Sequence, residues 1–76
     1  MKEQEFIKEI DNCKGLILKL IGLYAYSLAD RNDIYQEVLY NAWRGINSFQ
    51  GKSKFSTWLY QVALNTILTY NRTSKK

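Results

Sequence analysis

Apolar side chains recur every three or four residues along almost the whole chain, and no proline interrupts them. That spacing gathers apolar groups on one face of an α-helix. Phe6, Ile7, Ile10 and Cys13 open one stripe, and Leu16, Ile17, Leu20, Ile21, Tyr24 and Leu28 continue it. They predict one long helix, or two short ones bent at Gly15, from about Glu3 to Leu28. Asp30-Arg31-Asn32-Asp33 marks a boundary. Asp30 can cap the next helix by accepting from its free backbone N–H groups, and Asp33 suits the first turn. That helix is expected to reach about Gly45. Ile46 to Lys52, with Asn47, Ser48 and Gly51, reads as a loop. Ser53 is placed to cap a last helix from Lys54 to about Arg72, and Thr73 to Lys76 should fray. The expected fold is all-α, a single bundle of three to four helices. It divides into residues 1–29, a helix at 30–45, a loop at 46–53, a helix at 54–72 and a tail at 73–76.

A chain of 76 residues buries only roughly 60% of its unfolded surface, so its core is thin. Cys13, the one cysteine, cannot form an internal disulfide and fits a reducing setting. Its expected role is a small buried apolar residue in a helix. The absence of histidine excludes imidazole-based metal sites and nucleophile–histidine pairs. Gly15, Gly22, Gly45 and Gly51 do not have the spacing of a phosphate-binding loop. No catalytic residue, metal or cofactor is expected. The opening Met-Lys-Glu-Gln-Glu is too charged for a signal peptide, and Leu16 to Ala29, interrupted by Lys19, is too short to span a bilayer. The expected location is the cytoplasm.

Charge is divided along the chain. Met1 to Trp43 holds five basic and seven acidic residues, a net of −2, whereas Arg44 to Lys76 holds six basic residues and no acid, a net of +6. A half without carboxylates suits a polyanion such as nucleic acid, although a solvated basic face would look the same.

Two polar stripes stand out at about 100° per residue. On the helix from Asp33 to Arg44, the residues Ile34, Tyr35, Val38, Leu39, Ala42 and Trp43 form the core arc. Asp33, Gln36, Glu37, Tyr40, Asn41 and Arg44 form the other arc, which is also what a solvated helix face would show. On the last helix, Phe55, Leu59, Val62, Ala63, Thr66, Ile67 and Tyr70 make the buried side. Lys54, Gln61, Asn65 and Arg72 cluster opposite, with Thr57, Trp58 and Leu68 at the margins. Asn and Gln can match base edges, while Lys and Arg anchor phosphates. Most of the Trp58 indole is expected in the core, with an edge available to stack on an unstacked base.

Asp33-Ile34-Tyr35-Gln36-Glu37, then Ala42-Trp43-Arg44, then Phe49-Gln50-Gly51-Lys52-Ser53-Lys54-Phe55-Ser56-Thr57-Trp58-Leu59-Tyr60-Gln61-Val62-Ala63-Leu64-Asn65-Thr66 resemble domain two of extracytoplasmic-function sigma factors. The family pattern is close to D-L-x-Q-E, A-W-R and F-R-G-x-x-x-F-x-T-W-L-Y-R-I-A-x-N. Each fragment alone is weak, but together, in this order and spacing, they are specific. The resemblance implies that Asp33, Gln36, Glu37, Tyr40, Asn41 and Arg44 face the arginine-rich clamp helices of the RNA polymerase β′ subunit. It implies that the loop (Asn47, Ser48, Gln50, Gly51, Lys52, Ser53 and Lys54) holds a flipped base of the minus-ten promoter element. It implies that Trp58, Gln61, Asn65 and Arg72 contact that element and its upstream edge. Core RNA polymerase, promoter DNA and an anti-sigma factor are the implied partners, and a further domain reading the minus-thirty-five element is implied in a full-length member. Gln61 stands where the family has arginine, Leu64 where a base is common, and Lys52 where an acid is common. Gln61 and Leu64 imply weaker phosphate anchoring by the last helix than is usual in the family, and Lys52 leaves the base preference of the loop pocket open.

Two other classes fit an all-helical chain. A duplex DNA-binding module would want a short turn before a basic recognition helix, and Ile46–Lys52 is too long for that turn. A protein-interaction bundle would show no affinity for single-stranded DNA.

Overall fold

The computed structural model describes residues 2–25, 27–49, 51 and 53–74, without the side chains of residues 72–74. It contains three helices, α1 (Glu3–Tyr24), α2 (Leu28–Gly45) and α3 (Phe55–Ser74), with a 3-10 turn at Ile46–Ser48 after α2. The all-α fold expected from the apolar spacing is the one observed.

α1 is a single helix of 22 residues that runs through Gly15 and stops four residues short of Leu28. Glu3 and Glu5 lie in its first turn, where carboxylates oppose the positive end of the helix dipole. Its last turn holds no base. Arg31 of α2 supplies that function instead, its Nε donating to the Ala25 carbonyl at 2.9 Å. Ser27, not Asp30, caps α2: its Oγ accepts from the Asp30 amide at 3.1 Å. Asp30 therefore lies inside the first turn, and Asp33 comes after it. The Asp30 carboxylate accepts from the Tyr70 hydroxyl at 3.2 Å, a tertiary tie that the local sequence did not suggest.

The segment expected as loop begins with a 3-10 turn, in which the Ser48 hydroxyl donates to the Gly45 carbonyl at 2.6 Å. Gly51 has φ +72°, a left-handed conformation that a side chain would strain. Lys54, not Ser53, immediately precedes α3, and its carbonyl accepts from the Thr57 and Trp58 amides. α3 continues through Thr73 and Ser74 rather than ending at Arg72.

Phe6 near the start of α1 meets Trp43 near the end of α2, and Asp30 at the start of α2 meets Tyr70 near the end of α3. Successive helices thus run antiparallel, and all three pack against one another. Ile17, Ile21, Ile34, Val38, Leu59 and Ile67 are fully buried where they meet. Each such side chain contributes about 1.5–3 kcal/mol of hydrophobic stabilisation. At one end Phe6, Phe49, Phe55 and Trp58 pack ring against ring at centroid distances of 5.4–6.2 Å, with Trp43 on the outer side of Phe6 at 4.9 Å.

Several residues of the expected apolar stripes face outward. Ile7, Leu16, Tyr24 and Leu28 are exposed, and Cys13 is half-buried. Trp43 is 43% exposed and packs its ring on Phe6 of α1. A helix in a three-helix bundle buries only the arc its two neighbours cover, so residues at the edge of a wide apolar stripe stay in solvent.

Candidate protein and nucleic-acid interface

α2 presents Asp33, Gln36, Glu37, Tyr40 and Arg44 as exposed side chains, because Ile34, Val38 and Ala42 occupy its buried arc. The Arg44 guanidinium lies 5.3 Å from the Tyr40 ring centroid, one helical turn away. Such a contact orients both groups and leaves the guanidinium charged. Asn41 was expected on this stripe, but it is half-buried, and its amide donates to Thr66 Oγ1 at 2.9 Å. Thr66 in turn donates to the Val62 carbonyl at 2.7 Å. Asn41 therefore stitches α2 to α3.

Of the loop residues, Asn47, Ser48, Gly51, Ser53 and Lys54 are exposed. Gln50 and Lys52 lie outside the described residues, as does the Arg72 side chain. Below the loop, Trp58 is half-buried, with its ring 5.4 Å from Phe49 and 5.5 Å from Phe55. The indole thus supports the loop from within, and part of it reaches the surface. Gln61 and Asn65 are exposed on α3. No acid lies in the first turn of α3, so the positive end of its dipole and Lys54 both favour an anion there.

The two stripes converge. Glu37 and Asn41 of α2 and Val62, Asn65, Thr66, Thr69 and Tyr70 of α3 line one groove of about 550 Å³. Thr69 and Tyr70 had no place among the candidate site residues. Thr69 is one turn beyond Asn65, so extending the amide stripe by four residues would have reached it. A shallower pocket of about 300 Å³ between α1 and α3 is lined by Leu16, Ser56, Thr57, Tyr60 and Gln61.

Burial, with a smaller contribution from Glu9, pushes the Cys13 thiol above its ordinary value. Burial and then Asp11 do the same to the Tyr35 phenol. Both groups belong to the seam with α1 rather than to the polar stripes. Among the described residues, no cluster of His, Cys, Asp or Glu could hold a metal ion, and no helix is long and apolar enough to cross a membrane.

Comparison with known proteins places this arrangement in a family. The profile of Sigma-70 region 2 matches residues 10–76. The chain is 49% identical over 43 residues to the ECF RNA polymerase sigma factor SigG of Mycobacterium tuberculosis, covering 57% of this chain and 12% of that protein. It is 41% identical over 54 residues to the ECF RNA polymerase sigma-E factor of Escherichia coli, covering 71% of this chain and 28% of that protein. It is 40% identical over 50 residues to the RNA polymerase sigma-H factor of Pseudomonas aeruginosa, covering 66% and 26%. The matched stretch spans less than a third of the length of each of these relatives. No solved structure matches the chain at a significant level.

Proposed function

This chain belongs to the Sigma-70 region 2 family, and we propose that it serves bacterial transcription initiation as the part of a sigma factor that docks on core RNA polymerase and opens the minus-ten promoter element. It works without catalysis, by binding, in the cytoplasm where polymerase and promoter meet. The observation that carries the reading is the pair of exposed polar stripes held on one core, one mixing two carboxylates with an amide on α2, the other acid-free on α3.

Asp33, Gln36 and Glu37 offer two carboxylates and an amide to the arginine-rich clamp helices of β′. An anti-sigma factor that covered this stripe would block docking. The loop from Asn47 to Lys54 receives a flipped base of the non-template strand, while Gln61 and Asn65 face base edges and Lys54 holds phosphate. Gly51 gives the loop its left-handed turn, and the rings of Phe49, Phe55 and Trp58 give it a firm floor.

The test is a pair of titrations: the chain against the isolated β′ clamp-helix segment, and against a labelled single strand carrying a minus-ten element with its duplex as competitor. Binding to the clamp helices together with preference for single strand is expected. A chain that bound neither would be an interaction bundle of another kind, and one that preferred duplex would be a duplex-binding module.

A further inference from the structure

α1 buries Phe6, Ile10, Ile17, Leu20 and Ile21 against its neighbours, and its outer side carries an ordered stripe of its own. Ile7, Asp11, Lys14 and Leu18 follow one another at intervals of four, three and four residues. That spacing sets them within about 60° of one another around the helix, over a length of about 17 Å. All four are exposed, Ile7 at 55% and Leu18 at 43%. The order is apolar, acid, base, apolar, and reversed it is apolar, base, acid, apolar. The stripe is therefore complementary to its own antiparallel copy. Two such helices laid antiparallel set Ile7 against Leu18 at both ends and Asp11 against Lys14 twice in the middle. Ile7 and Asp11 also line a mostly apolar groove of about 220 Å³ between α1 and α2, together with Phe6, Ile10, Tyr35 and Leu39.

We infer that this face of α1 is a self-association surface, on which a second copy of the chain lies antiparallel, Asp11 of each copy pairing with Lys14 of the other and Leu18 of each seated beside Ile7 at the groove of the other. Such a contact is two-fold symmetric: one patch meets itself, and both ion pairs form at once. Charge selects this occupant. A parallel copy would bring Asp11 to Asp11 and Lys14 to Lys14, and a uniformly basic or uniformly acidic partner would match only one of the two charges. The apolar ends supply affinity, and the charged centre fixes direction and register. The contact is small. Four residues per copy fall short of the roughly 800 Å² per partner of a standard interface, so the dissociation constant should be about 0.1 mM. The inference is independent of the docking and promoter readings, whose residues lie on α2, the loop and α3.

Sedimentation equilibrium of the chain between about 0.01 mM and about 1 mM brackets that constant, and the average mass should rise from monomer toward dimer. Asp11→Lys and Lys14→Asp each set like charges opposite one another twice, and each should weaken association about tenfold or more. Both positions are exposed, so the helical circular dichroism of the wild type should persist. Mixed in equal amounts, the two variants are complementary again, lysine facing aspartate at both pairs. The mixture should associate at least as tightly as the wild type although each variant alone stays monomeric. Leu18→Ser should weaken association as well. A wild-type chain that remained monomeric at the highest concentration would overturn the inference. So would association that survived both charge reversals, or a mixture of the two variants that failed to restore it.

Discussion

The Asn41 side-chain amide donates to Thr66 Oγ1 at 2.9 Å, joining positions 25 residues apart. Through this bond the helix proposed to meet the polymerase is tied to the helix proposed to meet the promoter. Thr66→Val should leave a half-buried amide donor without its acceptor and cost about 1–3 kcal/mol. Asn41→Leu combined with Thr66→Val should cost less than the sum of the single changes. Urea unfolding of the three variants checks this, and strict additivity would show that the bond contributes nothing specific.

The aromatic end of the bundle should be the least tolerant of truncation. Phe55 is buried among Phe6, Phe49 and Trp58. Phe55→Ala is expected to cost about 3–5 kcal/mol, a large part of the stability of a domain this small. Thermal melting gives the answer, and a wild-type melting temperature would contradict the packing.

Reversing charge on α2 should separate docking from folding. Glu37 is exposed and off the core arc, so Glu37→Lys should keep the helical circular dichroism of the wild type. Its affinity for core polymerase should fall by about 2–5 kcal/mol if the pair is desolvated in the complex. Undiminished affinity, read by fluorescence anisotropy with core enzyme, would remove Glu37 from the interface.

Two substitutions on the DNA side should act differently. Lys54→Ala should weaken every single strand alike and reduce the salt slope, by about 0.7 for a lost phosphate contact. Asn65→Ala should instead narrow the preference among sequences, by about 1–3 kcal/mol for a bidentate base contact. Competition titrations at several salt concentrations distinguish them. Sequence preference that survived Asn65→Ala would show that this amide does not read a base.

Stability should fall on the alkaline side through the α1 seam. Cys13 and Tyr35 both have pKa values raised in the fold, chiefly by burial. A group with a raised folded pKa contributes stability that is complete below its unfolded pKa and is lost as pH rises through the folded one. The urea midpoint should therefore begin to drop as pH rises into the range in which free thiols and then free phenols titrate, from about pH 8 upward, and keep falling until the folded groups ionise in turn. The drop should shrink in a Cys13→Ala, Tyr35→Phe variant. An equal drop in both proteins would place the sensitivity elsewhere.

The sequence alone determined that the chain is helical, the approximate limits of α2 and α3 and the polar stripe on each of those two, because a helical period needs only local spacing to be read; whether Glu3 to Leu28 forms one helix or two it left open. Ile34, Val38, Leu59 and Ile67 were legible as core for the same reason. The motif fragments carried the family. Capping was less legible: Ser27 and Asp30 are both plausible cap residues, and only backbone geometry selects Ser27.

What tertiary structure decided is how the stripes meet. Spacing shows which residues share a face of one helix but not which faces of two helices are brought together. The antiparallel packing of α2 on α3 turned Asn41 inward to Thr66, set Tyr70 against Asp30, and placed Glu37 and Asn65 on opposite sides of one groove. It likewise left Trp43 leaning on Phe6 at the surface, since α1 covers only part of the apolar arc of α2. Such pairings join residues tens of positions apart, and only the packing of the helices creates them.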